Sequence, residues 1–352
     1  MSKPLPILSH MPWNVKQQIV EAVDLRKRFA LRRCSSEFKT LVDNIKVTYS
    51  SLVIHFDKES IQILVVFRYF PNLFRKSWFF KPNLNWNHCY IDEAMRTIVA
   101  IIGNPNVRLR EFRVEFRKYG GRLYGALYLL NKLPYLKVFV DVMTSLPHKI
   151  AAEKFTMISA DNRSQDIHCV MSFLQPGTLK DIILKHYDYR ATQHSFDLAG
   201  IAETEQWKQA KSVQLVRYTN SVPLSKFHNF LSADSGQSDL TEDELRYVLD
   251  NFLREDGWVM RIFRLEYNMQ PSRKLSAFRT FFSQFADPVA HENRRIDAQF
   301  RIQRGGFECI VFIGELSYLD SKLHVSFFNP LKCPNFEQVF IDSMRIEYSC
   351  LE

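Results

Sequence analysis

One spacing recurs along this chain and limits what it can fold into: an apolar residue, two residues of any kind, a second apolar residue, one more of any kind, and a third apolar residue. Leu109-Arg-Glu-Phe112-Arg-Val114 has this form, and Leu179-Lys-Asp-Ile182-Ile-Leu184 repeats it. Ala210-Lys-Ser-Val213-Gln-Leu215 follows it with alanine in front, and Met260-Arg-Ile-Phe263-Arg-Leu265 is a further copy. The last two apolar positions are two apart, the period of a strand with one buried face. Leu136 to Val142 and Phe155 to Ile158 read as further strands between the copies. Helical patterns alternate with these strands, over 125–132, over 164–174, and most clearly at Leu245, Val248, Leu249, Phe252 and Leu253. That last stripe follows Thr241-Glu-Asp-Glu244, the form of a capping box.

One strand and one helix every 25 to 45 residues or so predict an α/β fold, with parallel strands stacked as a leucine-rich-repeat-like strand/helix solenoid over about 101–300. A doubly wound α/β sheet is the other topology this alternation allows. A solenoid offers an extended face for protein binding. The positions between and after the inward residues then line up as a ladder: Arg113 and Glu115, Ile183 and Lys185, Gln214 and Val216, Arg264 and Glu266. Mixed charge with some apolar surface suits a target-binding face, although ordinary solvated strand positions would read the same way. Strands near Glu308 to Ile313, Leu323 to Phe328 and Phe340 to Tyr348 are expected to close the body over 301–352.

Ahead of the repeats, Ile45 to Tyr49, Leu52 to Phe56 and Ile61 to Phe67 read as short strands. The stretch from Tyr69 to Tyr90 interleaves Phe70, Phe74, Trp78, Phe79, Phe80 and Trp86 with Arg68, Arg75, Lys76 and Lys81. Such a mixture can stack bases, but the simpler reading of 46–100 is connecting strands and a buried aromatic seam with cations at its edge. The first 45 residues read as three short helices. Val15, Ile19 and Val23 recur every four residues with Val20 beside them, Asp24 is placed to cap a second helix, and Ser35 or Ser36 a third. Below about 40 residues a module rarely buries enough surface to stand alone. It therefore either packs on the rest of the chain or completes its core on a partner.

The net charge of +9 favours acidic partners, but the cations are spread along the chain and no nucleic-acid recognition signature accompanies them. Met1 to Pro12 holds no basic stretch followed by an apolar one, and no apolar run approaches the roughly 20 residues of a membrane span. Six scattered cysteines without a C-x-x-C pair read as reduced thiols, so a cytosolic or nuclear compartment is expected. His88-Cys89 and His168-Cys169 are adjacent pairs in apolar contexts and read as core residues rather than metal ligands. No nucleophile elbow or phosphate-cradling glycine loop is present in the sequence, so neither enzyme activity nor a cofactor is expected.

Met11-Pro12-Trp13-Asn14-Val15, Ile19, Val23-Asp24-Leu25, Leu31-Arg32-Arg33-Cys34, Phe38 and Leu41-Val42-Asp43 together resemble an F-box, more narrowly that of the large nematode families. Met-Pro stands where most F-boxes have Leu-Pro, and Arg33-Cys34 where many have Val-Cys. Further on come Leu174-Gln-Pro-Gly-Thr-Leu-Lys180, Glu203-Thr-Glu-Gln-Trp207-Lys-Gln-Ala-Lys211, Val222-Pro223, Phe227-His-Asn-Phe230 and the Thr241 helix. These resemble the FTH domain of the nematode F-box A family, over about 150–270. The resemblance implies a non-catalytic substrate receptor of a cullin-based SCF ubiquitin ligase, with residues 1–45 docking on its Skp-type adaptor. Met11, Pro12, Val15, Ile19, Leu31, Cys34 and Phe38 are then adaptor-facing or module-core positions, and the run Arg26-Lys27-Arg28 stays solvated. The repeat body would bind a target protein. A non-degradative scaffold or antitoxin-like F-box protein is the alternative.

Overall fold

The computed structural model describes residues 10–23, 25–57, 60–69, 72–81, 89–116, 125–159, 164–186, 195–216, 219–220, 223–236, 241–253, 262–267, 271–288, 296–304, 307–316 and 322–328. The fold is mixed α/β and divides into two compact units, residues 1–153 with 173–175, and residues 154–172 with 176–352.

The first unit opens with three helices, α1 (Trp13–Ala22), α2 (Leu25–Cys34) and α3 (Ser36–Asn44). Strands β1 (Val47–Asp57), β2 (Ser60–Tyr69) and β3 (Asn72–Phe80) follow, then α4 (Cys89–Ile102), β4 (Val107–Phe116), α5 (Gly125–Thr144) and the start of β5 (Ala151–Ser159). Its sheet runs β4-β1-β2-β3, parallel between β4 and β1 and antiparallel beyond. Ile45 to Tyr49 and Leu52 to Phe56 are thus not two strands; β1 runs through both. Leu136 to Val142 is helical rather than a strand. Leu136, Val138, Val140 and Val142 alternate as in a strand, which leaves the period ambiguous, but Tyr135, Leu136, Phe139 and Met143 are buried together at helical spacing. Phe56 of β1 meets Phe139 of α5 with ring centroids 5.6 Å apart, so α5 lies on the apolar face of this sheet.

The second unit holds the rest of β5, then α6 (Ser164–Ser172), β6 (Asp181–His186), β7 (Ser195–Phe196), α7 (Ala199–Ala202), α8 (Glu205–Gln209), β8 (Ser212–Val216), β9 (Thr219–Asn220) and a 3-10 turn at Leu224–Phe227. It continues with β10 (Ser232–Gly236), α9 (Glu242–Phe252), β11 (Ile262–Tyr267), α10 (Pro271–Ser283), β12 (Ile296–Arg304), β13 (Phe307–Leu316) and β14 (Lys322–Phe328). Its main sheet runs β5-β6-β8-β10-β11-β14-β13-β12, parallel as far as β11 and antiparallel from there. The strand-helix alternation therefore gives way to consecutive antiparallel strands at the end. Phe340 to Tyr348 lies outside the described residues.

Register accounts for the core of this sheet. Phe155, Ile182, Val213, Ala233, Phe263, Phe327, Val311 and Phe300 stand opposite one another strand by strand and are all buried. Phe227 of the 3-10 turn lies 5.9 Å from Phe263, Phe252 of α9 5.9 Å from Phe327, and Phe282 of α10 5.6 Å from Phe300, centroid to centroid. The helix α9 begins with the full reciprocal capping box of Thr241 and Glu244.

The six-residue spacing is more frequent than its apolar spelling suggests. Tyr49/Leu52/Ile54, Ala152/Phe155/Met157 and Phe230/Ala233/Ser235 obey it too and are buried, as are the sets beginning at Leu109, Leu179 and Ala210. The first and second members of a set are three residues apart, which in a straight strand would put them on opposite faces, so the chain must bend between them. At β8 and β10 the bend is visible in the hydrogen bonds: the Lys180 carbonyl accepts from the amides of Lys211 and Ser212, and the Lys211 carbonyl from those of Leu231 and Ser232. Gly177 has φ +79° and makes the turn that leads into Leu179, as position three of a Pro-Gly turn requires.

Candidate protein-docking surfaces

The N-terminal helices hold together through a small core and several polar ties. Val20, Phe38, Leu41 and Val42 form the core, with Leu31 and Ile45 packed against it. Pro12 caps α1, its carbonyl accepting from Val15 and Lys16, and the Ser35 hydroxyl accepts from the Phe38 amide at the start of α3. Buried Lys16 donates to Glu37 at 2.6 Å, joining α1 to α3, and Arg32 grips Asp43 through two bonds of 2.7 and 3.2 Å, joining α2 to α3. Arg28 is not simply solvated. Its guanidinium donates to the carbonyls of Val23 and Glu21, closing the end of α1 where four carbonyls lack helical partners. Asp24 lies outside the described residues.

Of the residues resembling adaptor contacts, Phe38 is buried in the module core, whereas Met11, Val15, Ile19 and Leu31 are half-buried and Pro12 and Cys34 are exposed. Trp13 is 48% exposed beside them. The α1 stripe is thus split: Lys16 and Val20 face inward, and Val15, Ile19 and Val23 keep apolar surface in water. A cleft of about 630 Å³ lies on another side of α1, lined by Trp13, Gln17, Arg28, Ile45 and Phe67 among others.

Two asparagines, invisible as a signal in the sequence, fix the module to its own unit. Asn104 Nδ2 donates to the carbonyls of Val42 and Ile45 at 3.2 and 3.4 Å, and Asn106 Nδ2 to that of Asp43 at 2.8 Å. They satisfy the last carbonyls of α3 from the turn before β4. Asn104→Ala with Asn106→Ala is expected to lower stability by about 1–3 kcal/mol, read as an earlier urea midpoint for the signal of Trp13 than in the parent chain.

On the face of the first unit's sheet opposite Phe56 and α5, His55 aligns with Glu115 across the β1/β4 pair and with Gln62 across β1/β2, and Gln62 aligns with Phe79 across β2/β3. His55 Nδ1 lies 2.6 Å from Glu115 Oε2, and Arg113 pairs with the other carboxylate oxygen. Glu115 therefore departs from the expected outward ladder: at 4% exposure it is buried, with His55 at one carboxylate oxygen and Arg113 at the other. Arg113 is half-exposed. In the second unit Ile183, Lys185, Gln214 and Val216 are half-exposed on the face opposite Ile182, Leu184, Val213 and Leu215. Ile183 and Gln214 stand in register with each other and with Asp234. Arg264 and Glu266 occupy the matching positions of β11, opposite Asp234 and Gly236; their side chains lie outside the described residues.

Where it is described, the aromatic stretch is divided, with Phe80 buried and Trp78 half-buried. Among the described residues β3 is the edge of its sheet, and Phe79 on it is 54% exposed. The expected core pairs also differ. His168 is exposed and Cys169 half-buried, both on α6 and not on a strand, and His88 lies outside the described residues. Burial pushes the Cys169 thiol up, and the nearby Asp166 carboxylate adds to the shift, the opposite of what an attacking thiolate needs. Among the described residues no three metal-ligating side chains cluster, and no helix is long and apolar enough to cross a membrane.

In the second unit, Trp207 of α8 sits under the 3-10 turn, its indole nitrogen donating to the Lys226 carbonyl at 3.0 Å and its ring 5.7 and 5.1 Å from Phe227 and Phe230. Thr204 caps α8 through the Trp207 amide. Lys226, with Lys208, faces Glu203, whose carboxyl is held below its ordinary value by the Lys226 hydrogen bond and charge. The residues that spell the Trp207 and Phe227-Phe230 motifs thus form one packed node. Residues 134–281 match the FTH domain. The FTH domain match begins within α5, ends within α10 and encloses the 150–270 segment that carries these motifs. FTH domains are associated with F-box proteins. No curated protein and no solved structure matches the chain.

Proposed function

We propose that this chain is a non-catalytic substrate receptor of an SCF-type ubiquitin ligase, working in the cytosol or nucleus. In this reading α1 to α3 are an F-box that docks on a Skp-type adaptor and through it on a cullin, and the strand-and-helix body is a leucine-rich-repeat-like solenoid that holds a target protein. The observation that carries it is the FTH domain at 134–281 standing behind a three-helix module whose Val15, Ile19 and Trp13 keep apolar surface exposed. An amphipathic helical face of this kind is a common docking element. The half-exposed strand positions Arg113, Ile183, Lys185, Gln214 and Val216, with Arg264 and Glu266 in register on β11, remain the proposed target face.

Pro12→Ala combined with Ile19→Asp tests the docking. Neither residue belongs to the Val20, Phe38, Leu41, Val42 core, so the module should keep its fold. Truncating an interface anchor costs roughly 2 kcal/mol or more, and a desolvated carboxylate adds to that, so recombinant adaptor should no longer be pulled down. Adaptor retained at the parent level would rule out the F-box assignment. Adaptor captured by the parent chain without cullin would favour a non-degradative scaffold.

A further inference from the structure

The strand β3 ends its sheet, so among the described residues its outer edge pairs with no strand and keeps backbone donors and acceptors available. Arg75, Lys76 and Lys81 lie on or just beyond it, and no carboxylate pairs with any of them among the described residues. Lys76 Nζ lies 5.3 Å from the Trp78 ring centroid, and Lys81 Nζ lies 4.9 Å from that of Phe79. On the face opposite Ile61, Ile63 and Val65, Arg75, Ser77 and Phe79 stand across from Val66, Leu64 and Gln62. Phe79 thus borders an apolar shelf of half-exposed Leu64 and Val66, flanked by the cations of Arg75 and Lys81.

Cations on a strand edge can serve only to prevent unwanted pairing. That accounts for Arg75, Lys76 and Lys81, but it leaves a phenyl ring 54% exposed among them without a reason. We propose that β3 is a docking edge that takes an extended acidic segment of a partner protein as an added strand. The partner's main chain bonds to the free edge, its carboxylates meet Arg75 and Lys81 on one face and Lys76 on the other, and an apolar side chain covers Phe79. Aromatic and basic residues together also suit single-stranded nucleic acid, whose bases stack on ring faces. Here the faces of Trp78 and Phe79 already carry lysine ammonium groups, and the alternating N–H and C=O of a strand edge complement a peptide backbone rather than a sugar-phosphate one.

The inference names the chemistry of the target and rests on the receptor reading only in calling the occupant a target, so adaptor pull-down measured on the same proteins keeps the two failures apart. The probe is a fluorescein-labelled peptide of about eight residues, glutamates flanking a central pair of valines so that each face of the added strand carries both, added to the full chain and followed by anisotropy. The parent chain should bind it, and Phe79→Ala and the triple change Arg75→Glu, Lys76→Glu, Lys81→Glu should each weaken binding by about tenfold or more. The same peptide N-methylated at alternate residues, which cannot donate along the edge, should bind the parent chain at least about tenfold more weakly. This arm involves no variant of the protein and stands even if the triple change lowers the melting temperature. Equal binding of the N-methylated peptide would reduce the contact to charge attraction and overturn the added strand. Binding of a thymidine oligonucleotide without the acidic peptide, or no binding of the peptide, would overturn it as well.

Discussion

Trp207→Ala is expected to lower the folding stability by about 3–5 kcal/mol, measured as the loss in urea midpoint by circular dichroism. The side chain is fully buried and is the largest of the fully buried residues described. Two edge-on aromatic contacts, to Phe227 and Phe230, add to the transfer of the indole from water. Alanine would leave a cavity between α8 and the 3-10 turn and would strip the Lys226 carbonyl of its donor. Phe227 continues the node to Phe263 of β11, so the void opens onto the parallel part of the sheet, where neighbouring strands cannot easily collapse into it. Trp207→Phe keeps most of the packing and loses the hydrogen bond; its cost should be about 1–2 kcal/mol. Equal midpoints for the parent and the alanine variant would mean that the node is dispensable and that the spacing of Trp207 to Phe230 reflects something other than packing.

The contrast between α9 and α5 shows what a sequence can and cannot disclose. In α9 the apolar stripe, the Thr241 cap and the Glu244 that answers it all lie within a dozen or so residues, and every one of those local signals agrees. In α5 Leu136, Val138, Val140 and Val142 alternate as in a strand while Leu136, Phe139, Val140 and Met143 recur as in a helix, so both periods fit and packing against Phe56 decides. The strand β10, Ser232-Ala-Asp-Ser-Gly236, has almost no intrinsic preference for extension; it is a strand because β8 and β11 bond it on both sides. Surfaces follow the same division. The split stripe of α1 is visible as a period of four, although which side turns outward is set by Phe38 and Leu41 of another helix. The ties of Asn104 and Asn106 to α3 span about sixty residues of chain and leave no local mark. The alternation that puts Glu115 on the face opposite Phe112 and Val114 is equally legible, but a period says only which face a residue is on, not what stands beside it.

What stands beside Glu115 makes it the site of the second large effect. Glu115→Ala is expected to cost about 3–5 kcal/mol, because it removes the carboxylate that His55 and Arg113 share. His55 is itself 7% exposed and cannot regain water without opening the β1/β4 pair. Glu115→Gln keeps an acceptor opposite His55 and gives up the charge facing Arg113, so its cost should fall between those of alanine and the parent residue. The decisive comparison is the double change His55→Leu with Glu115→Leu. Taking both polar groups away removes the desolvation penalty along with the attraction, and apolar pairs in place of buried ionic ones are often neutral or stabilising. Arg113 is half-exposed and its guanidinium can turn to solvent while its stem stays on the sheet. Urea midpoints should therefore show the double variant less destabilised than Glu115→Ala alone, with a coupling of about 1–3 kcal/mol between the two positions. If the costs of the single leucine changes simply add, His55 and Glu115 do not act as a pair, and the burial of Glu115 must rest on Arg113 alone.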